Sequence, residues 1–192
     1  MKPWLEEVEE KLTARPVRRR PVREGMAAAA VLVPLYVAAG SLWVLLTRRS
    51  ADLPSHAGQV SFPGGVCDPG DGDEVETALR EAHEELGIPP ESVRILGCLD
   101  DLETPTGYHI LPVVGALPWP LELVPASQEV ESVVNVPWTY IADPELVTVE
   151  WLPVEGRTVP CPVFLYSGHR IWGATARILA DLVERLTGVK LG

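Results

Sequence analysis

Residues 62–88 read FPGGVCDPGDGDEVETALREAHEELGI, a loop rich in glycine, proline and aspartate followed by a run of helix-forming residues. The run predicts a helix that starts near Glu74 and stops at Gly87, because glycine and the two prolines that follow it end helices. Three glutamates of this helix share one narrow stripe, since successive residues are about 100° apart around the axis. They are Glu81, Glu84 and Glu85. Like charges so close repel each other, so their clustering needs a physical reason.

An apolar face lies beside the acidic stripe and predicts that the helix packs on a sheet. Its members are Val75, Ala78, Leu79, Ala82 and Leu86. Arg80 lies one turn before Glu84, where it can pair with that carboxylate and orient it. The helix is therefore expected to have a buried side, an acidic edge and one arginine that organises the edge.

A divalent cation would relieve the repulsion among the glutamates, and oxygen ligands without a Cys or His cluster favour Mg²⁺ or Mn²⁺ over Zn²⁺. The alternative is a solvated acidic helix face. Pro63, Gly64 and Gly65 precede the helix and let a peptide carbonyl approach a metal while leaving room for a phosphate chain. No GK[ST] follows these glycines, so the loop is not a P-loop. Together the features indicate attack by water on a phosphoanhydride.

The composition of the chain sets limits on its function. At 192 residues, of which 46% are hydrophobic, the chain can fill the core of one large domain. The net charge of -11 argues against a nucleic-acid partner. Three widely spaced cysteines predict neither a disulfide framework nor a metal knot, and they favour a reducing compartment.

Residues 26–47 carry no charged side chain and are long enough to span a membrane. Pro34 would interrupt a helix there, and the AAGS sequence at residues 38–41 is typical of a turn. We therefore predict two strands in place of a transmembrane helix, and no membrane partner. Because no convincing signal peptide is present either, a cytoplasmic location is expected.

Other segments predict a mixed domain. An amphipathic helix is expected from Pro3 to Ala14, followed by a basic, solvated connector from Arg15 to Gly25. Apolar or alternating runs predict strands at residues 93–100, 109–117 and 133–138, and helical spacing predicts a last helix at residues 174–188.

The sequence REAHEELGI, residues 80–88, resembles the second half of the Nudix box. The first half departs from the usual pattern, because the loop is one residue longer. Gly65 is then the counterpart of the box glycine, and Gly72 stands where the first box glutamate is expected. The candidates to replace that glutamate are Asp71, Asp73 and Glu74.

A narrower resemblance extends beyond the box. LLTRRSADLPSHAGQVSFPGG, residues 45–65, together with TALREAHEELG, residues 77–87, is similar to the coenzyme A pyrophosphatase branch of the Nudix hydrolases. That branch shares the leading LLTxRS, the His-x-Gly-Gln before FPGG and the longer loop. IWGATARIL, residues 171–179, resembles the entry to its C-terminal helix. Pro54 stands where relatives often carry Arg or Lys.

The resemblance implies an α/β fold, a Nudix-type α/β/α sandwich with a mixed sheet. The resemblance covers roughly residues 31–186. With the helix and connector predicted from the residue pattern, the expected division is an N-terminal helix and basic connector, residues 1–25, and a Nudix hydrolase domain, residues 26–192. The resemblance implies hydrolysis of the diphosphate of coenzyme A, or of an acyl-CoA, to 3′,5′-ADP and 4′-phosphopantetheine. The implied ligands of Mg²⁺ or Mn²⁺ are Glu81, Glu84, Glu85 and the carbonyl of Gly65. Arg80 would orient the glutamates, and Gly64 would lie against the phosphates.

Further residues are candidates for substrate binding and catalysis. Arg48 and Arg49 end a strand and are candidates for the substrate's phosphates, including the 3′-phosphate, although a charged strand end is the plainer interpretation. His56 is a candidate for phosphate contact or for capping its loop. Glu129 is the candidate general base, with Glu131 as its nearest competitor.

Two other functions stay open at this stage. One is hydrolysis of another nucleoside diphosphate derivative, such as ADP-ribose or NADH. The other is a non-catalytic nucleotide-binding module, which the altered first half of the box would explain. In each case the expected partner is a small molecule, and whether the chain forms a homodimer is open.

Overall fold

The uncharged run at residues 26–47 forms two antiparallel strands, as predicted. The first strand ends at Ala38 and the second begins at Ser41, and these two residues pair across a tight turn. Ala39 and Gly40 form the turn with positive φ angles of 48° and 77°, the geometry that a two-residue hairpin turn requires. None of the helices in the described parts of the chain combines the length and apolar character that crossing a membrane would need.

The computed structural model describes residues 3–53, 56–154 and 156–191. In chain order its elements are α1 (Trp4–Thr13), β1 (Ala27–Ala38), β2 (Ser41–Arg49), β3 (Val60–Ser61), β4 (Gly64–Val66), α2 (Glu74–Leu86), β5 (Arg94–Cys98), β6 (Leu102–Glu103), β7 (Tyr108–Ala116), β8 (Val130–Pro137), α3 (Trp138–Ile141), β9 (Val147–Val154), β10 (Arg157–Tyr166), β11 (His169–Ile171) and α4 (Gly173–Thr187). Two 3₁₀ turns lie at Pro90–Ser92 and Pro144–Leu146.

The central strand of the main sheet is β1. It pairs in parallel with β7 along one edge. Along its other edge it pairs antiparallel first with β4, over Ala29–Val31, and then with β2. Strand β8 extends the sheet beyond β2, and β5 extends it beyond β7. The sheet is therefore mixed, as predicted.

Helices cover both faces of this sheet because successive residues of β1 point to opposite sides. Ala30 and Leu32 face α2 and pack in one core cluster with Ala82 and Leu86. Val33 and Leu35 face the other way, into a second cluster that includes residues of α1 and α4. The predicted α/β/α sandwich is confirmed, and the predicted apolar face of α2 is the one that packs.

A second, smaller sheet follows the first. Strands β9, β10 and β11 form an antiparallel sheet in which Val163, Phe164 and Ile171 are buried. The sequence patterns did not predict it. Pro160 and Pro162 lie within β10, and prolines weaken the sequence signal of a strand because they cannot donate a ladder hydrogen bond.

The N-terminal helix is part of the core. Val8 and Leu12 of α1 are buried in the cluster under β5 and α4. Leu12 lies so close to Gly97 of β5 that a Cβ atom placed there would be 3.2 Å from the Leu12 Cβ. The helix predicted from its spacing is therefore confirmed, and its apolar face packs against the sheet.

The connector after α1, residues 15–25, is tied to the domain by ion pairs, and we call it the basic strap. Its arginine side chains reach the following acidic residues: Arg15 and Arg18 reach Asp100, Arg19 reaches Glu74, Arg20 reaches Asp101, and Arg23 reaches Glu103. The connector is exposed, as predicted for a solvated segment. It is not a free linker, however, because these ion pairs attach it to the domain. Long-range charge pairing of this kind leaves no local sequence pattern.

Asp101 is the most buried anchor of the strap. Its carboxylate accepts hydrogen bonds from the Arg20 backbone N–H and from Arg20 Nε, the latter at 2.8 Å. It also lies 3.2 Å from His109 Nε2. Burial acts to raise the pKa of Asp101, but the Arg20 hydrogen bonds outweigh it and hold the pKa below its usual range.

We expect Leu12→Ala to lower the free energy of unfolding by about 2–4 kcal/mol, because it removes a buried side chain that its neighbours cannot replace. Urea denaturation of the full-length protein measures this. Lys11→Ala, one residue earlier on the exposed side of α1, is the control and is expected to change stability by less than about 0.5 kcal/mol. Equal stability of both variants would contradict the docking of α1.

Candidate active site

The ends of the acidic helix α2 follow from local chemistry. At its start, Asp73 accepts a hydrogen bond of 2.9 Å from the backbone N–H of Glu76, which is an N-cap. At its end, Gly87 adopts a left-handed conformation with a φ of 68° and closes the last turn. The helix thus has the bounds that the sequence predicted.

Two glycines allow strand β4 to lie between β1 and α2. A Cβ atom on Gly64 would be 2.4 Å from the carbonyl oxygen of Ala30. A Cβ atom on Gly65 would be 2.4 Å from Glu81 Oε1. At Gly64 the short contact is with backbone and excludes a side chain, whereas at Gly65 a side chain would displace the Glu81 carboxylate. The backbone of β4 therefore lies directly against the carboxylate edge of the helix.

Arg80 organises that edge, as the spacing predicted. Its Nη1 donates to Glu84 Oε2 at 3.0 Å and also to Glu81 Oε1 at 2.9 Å. Its Nη2 donates to the carbonyl oxygen of Val66 at 3.2 Å. One guanidinium therefore fixes two of the three glutamates and the end of β4.

Asp71 holds the other side of the same guanidinium. Arg80 Nε donates to Asp71 Oδ1 at 2.9 Å, and Nη2 donates to Oδ2 at 3.1 Å. The Asp71 carboxylate also accepts from Thr77 Oγ1 at 2.8 Å and from the backbone N–H of Asp68 at 2.9 Å. These donors, Arg80 first, hold the pKa of Asp71 well below its usual range.

Among the three candidates for the missing box glutamate, Asp71 is the one that contacts Arg80. Asp73 caps α2, and Glu74 pairs with Arg19 of the basic strap. The sequence left the three equivalent because the loop is irregular and no periodicity places its side chains.

Glu85 is the most buried of the three glutamates, with 4% of its side chain exposed against 57% for Glu84. Its neighbours are the backbone N–H of Gly64, at 3.5 Å from Oε1, and Arg49 Nη1 at 4.0 Å. Both contacts are long. Burial therefore dominates and raises the pKa of Glu85 to about 7.

Glu81 and Glu129 complete the acidic site. Burial raises the pKa of Glu81, against the opposing effect of Arg80. The negative charge of Glu129 also acts to raise the pKa values of both Glu81 and Glu85. Glu129 is exposed, on a loop fixed by hydrogen bonds of Ser50 N–H to the Glu129 carbonyl at 2.8 Å and of Ala126 N–H to the Glu85 carbonyl at 2.8 Å. The charge of Glu129, the predicted base, therefore acts on both Glu81 and Glu85.

The donor chemistry of this site fits a hard divalent cation. Within residues 3–53, 56–154 and 156–191, no three His, Cys, Asp or Glu side chains already form a cluster tight enough for a metal ion. However, two of the glutamates carry raised pKa values, which is the state that a bound cation would relieve. All donors are oxygens, and Gly65 brings the backbone next to Glu81 without an intervening side chain.

A cavity of about 800 Å³ opens beside β4. Gly64, Gly65 and Val66 form part of its wall, so it reaches the backbone that lies against the glutamates. Its basic lining residues are Arg20, Arg23, Arg49, Arg177 and His56. Its apolar and aromatic lining residues include Met26, Val31, Phe62, Tyr108, Ile110, Leu152, Ile178 and Trp172. One carboxylate, that of Glu103, belongs to the described lining. In a chain with a net charge of -11, such a lining indicates an anionic ligand with an apolar part.

The predicted substrate-binding residues divide between this cavity and the outer surface. Arg49, His56 and Gly64 line the cavity, and His56 Nδ1 lies 3.1 Å from Gln59 Oε1. Arg48 is not among the lining residues and pairs at 3.3 Å with Glu131, the competitor of Glu129 for the role of base. Pro54 lies outside the described residues.

Three lining arginines were not predicted from the sequence. Arg20 and Arg23 belong to the basic strap, and Arg177 lies on α4. A run of arginines in a strongly acidic protein was a signal, but without the fold nothing showed that the strap turns toward the site.

This chain is similar to one protein-family model and to several known proteins. A Nudix domain model matches residues 26–157. The protein "Uncharacterized Nudix hydrolase NudL" of Photorhabdus laumondii is 43% identical over 160 residues, covering 82% of this chain and 84% of the relative. The protein of the same name from Pectobacterium atrosepticum is 39% identical over 176 residues, covering 90% and 88%. A solved binary complex of C. elegans Ap4A hydrolase is 26% identical, covers 58% of this chain and 80% of that one, and has a TM-score of 0.49.

Burial of Glu85 makes a prediction about stability. The pKa of Glu85 is about 7 in the folded protein against an ordinary value of 4.5, so folding favours the protonated carboxyl. This contribution to the free energy of unfolding is fully present below pH 4.5 and is lost as the pH rises through 7. In EDTA at pH 8, Glu85→Gln should be about 1–3 kcal/mol more stable than the wild type, with the difference shrinking toward pH 5.

Chemical denaturation at several pH values measures this difference. The control is Glu84→Gln, which removes a carboxylate that is largely exposed and should change stability by less than about 0.5 kcal/mol. A Glu85→Gln variant that is no more stable than the wild type at pH 8 would show that the buried charge is already compensated.

Proposed function

The chain belongs to the Nudix family of hydrolases, and on that premise we propose that it hydrolyses the diphosphate linkage of coenzyme A, or of an acyl-CoA, with Mg²⁺ or Mn²⁺. The products would be 3′,5′-ADP and 4′-phosphopantetheine. One water molecule adds across the P–O–P linkage, so that one phosphate gains the water oxygen and the other leaves with the bridging oxygen.

The observation that carries the proposal is the lining of the cavity. Coenzyme A joins a highly charged nucleotide, with a diphosphate and a separate phosphate monoester, to a long arm without charge. The cavity next to β4 joins four arginines to an apolar wall that includes Phe62, Ile110 and Leu152. Its volume of about 800 Å³ lies within the range of pockets that hold whole cofactors. ADP-ribose and NADH lack both the monoester and the aliphatic arm.

The residues that would hold the cation are Glu81, Glu84, Glu85 and the carbonyl of Gly65. Bound there, a divalent cation would neutralise diphosphate oxygens and lower the pKa of an attacking water. Arg80 would keep Glu81 and Glu84 in place, since its guanidinium is itself held on the opposite side by Asp71. A ligand set fixed in this way needs little rearrangement during the reaction.

Two further residues have roles in the proposed reaction. Arg49 lines the cavity and lies 4.0 Å from Glu85, so its guanidinium can bind diphosphate oxygens beside the acidic site. Glu129 would accept the proton of the attacking water, because its carboxylate is exposed and its charge is felt by both Glu81 and Glu85. Glu131 is less suited to that role because Arg48 pairs with it.

The contact between Asp71 and Arg80 also bears on the non-catalytic alternative. That alternative rested on the loss of the first box glutamate. Asp71 restores a carboxylate contact to Arg80, with two hydrogen bonds of 2.9 and 3.1 Å. This contact supports a catalytic domain over a non-catalytic nucleotide-binding module.

Hydrolysis of coenzyme A, ADP-ribose and NADH, measured side by side with Mg²⁺ and resolved by chromatography, tests the proposal. We expect coenzyme A to be cleaved to 3′,5′-ADP with the highest kcat/KM. Glu85→Gln should reduce the rate by more than about 100-fold because it removes a ligand of the ion. Glu91→Gln, an exposed glutamate beyond the helix, should retain wild-type activity. A clear preference for ADP-ribose or NADH would transfer the proposal to that substrate, and no turnover of any would overturn it.

Asp71→Asn tests the positioning of Arg80 separately. We expect the affinity for Mn²⁺ to fall by about 10- to 100-fold, because the guanidinium loses its charged anchor and no longer holds Glu81 and Glu84 in place. Electron paramagnetic resonance of free Mn²⁺ measures the binding directly. Asp73→Asn is the matched control, since asparagine also caps a helix. Unchanged Mn²⁺ binding in Asp71→Asn would limit Asp71 to a structural role.

A further inference from the structure

Two arginines from distant parts of the chain meet at one residue of β6. Arg23 of the basic strap places Nη2 at 2.7 Å from Glu103 Oε2. Arg177 of α4 donates from Nη1 to the backbone carbonyl of Glu103 at 3.2 Å. All three residues line the cavity. Glu103 therefore contacts two guanidinium groups at the cavity wall, one through its carboxylate and one through its backbone carbonyl.

The positive charge at this point is only partly neutralised. The carboxylate of Glu103 pairs with Arg23, whose side chain is nevertheless 64% exposed. Across the described residues, Arg177 has a hydrogen bond to a carbonyl and no ion pair with a carboxylate. Arg20, at the same wall, is already paired with the buried Asp101. Together Arg23, Arg177 and Glu103 carry one excess positive charge, and the two guanidinium groups suit a phosphate.

The start of α4 adds to this field. The helix begins at Gly173, its N-cap residue Trp172 makes no side-chain cap hydrogen bond, and both residues line the same cavity. The positive end of a helix dipole favours an anion nearby. The dipole of α4 thus favours an anion in the cavity, as the two arginines do.

The register of the sheet separates this charge from the acidic site. The box glycines Gly64 and Gly65 pair with Val31 and Ala30 of β1. The strap joins β1 at its start, through Met26, which is also in the cavity wall. Glu103, which both arginines contact, pairs with His109 of β7, and His109 pairs with Ala28 of β1. Strand β6 therefore lies three strand spacings from β4, about 14 Å. The two arginines are thus offset from the diphosphate site across the sheet, by a length comparable to a nucleoside.

We propose that Arg23 and Arg177, held by Glu103, form a subsite for a phosphate monoester on the nucleoside end of the substrate. The inference rests on the proposed function, because it assumes that the diphosphate lies at the glutamates. It assigns the recognition of the monoester to the basic strap and α4, in place of Arg48. Arg49, beside Glu85, remains with the diphosphate.

Binding of two nucleotides that differ in one phosphate tests the subsite without turnover. The probes are adenosine 3′,5′-bisphosphate and AMP, titrated calorimetrically into the full-length protein without metal. We expect the wild type to bind the bisphosphate about 10- to 100-fold more tightly than AMP. Arg23→Ala and Arg177→Ala should each reduce this ratio by about tenfold, and Arg177→Lys by less because it keeps the charge.

Arg18→Ala is the matched control. Arg18 belongs to the same strap but is outside the cavity lining, and it lies 3.9 Å from Asp100. It should retain the wild-type ratio. Variants of Arg23 and Arg177 that keep the ratio, or that weaken both nucleotides equally, would overturn the proposal. Thermal denaturation of each variant shows whether it is folded.

Kinetics with coenzyme A and dephospho-coenzyme A separate this proposal from the proposed function. We expect the ratio of kcat/KM for the two substrates to fall in Arg23→Ala and Arg177→Ala, through KM. If neither substrate is hydrolysed by the wild type but the calorimetric ratio holds, the subsite stands and the proposed function fails. If both are hydrolysed equally well and the ratio is one, the subsite alone fails.

Discussion

The guanidinium of Arg80 is the interaction on which the rest of the site depends. It joins three segments that are separate in the sequence: the loop at Asp71, the end of β4 at Val66, and the helix edge at Glu81 and Glu84. Arginine suits this position because its planar group donates in several fixed directions at once. A lysine could neutralise the charge but could not hold a loop, a carbonyl and two carboxylates together.

A second constraint comes from the close approach of β4 to α2. Gly64 lets the strand lie against β1, and Gly65 lets it lie against Glu81 of the helix. Glu85 is buried beside the backbone of Gly64. The burial costs stability while the carboxylate is charged, which its raised pKa of about 7 reflects. The same arrangement gives a cation a reason to bind, because it would remove the cost. With the cation of the proposed function bound, folding and metal binding would be coupled through one buried side chain.

The parts of the fold that the sequence predicted are those governed by local rules. The bounds of α2 follow from a cap at Asp73 and a glycine at its end, and the turn between β1 and β2 follows from Gly40. The contact between Asp71 and Arg80 could not be ranked above its alternatives, because it depends on the path of an irregular loop. Strand β10 was missed since its prolines obscure the pattern. Sequence reasoning thus located the acidic edge but not the side chains that anchor it.

The basic strap shows why the cavity could not be read from the sequence. Its arginines pair with carboxylates that come from β6, α2 and the turn after β5. Only the tertiary structure therefore shows what these arginines contact. The buried Asp101 fixes Arg20, and from there the strap continues into the start of β1, beside the cavity. Because α1 is anchored in the core by Leu12, the strap is held at both ends. A charged segment fixed in this way keeps its guanidinium groups near their positions before a ligand arrives, which reduces the entropy lost on binding.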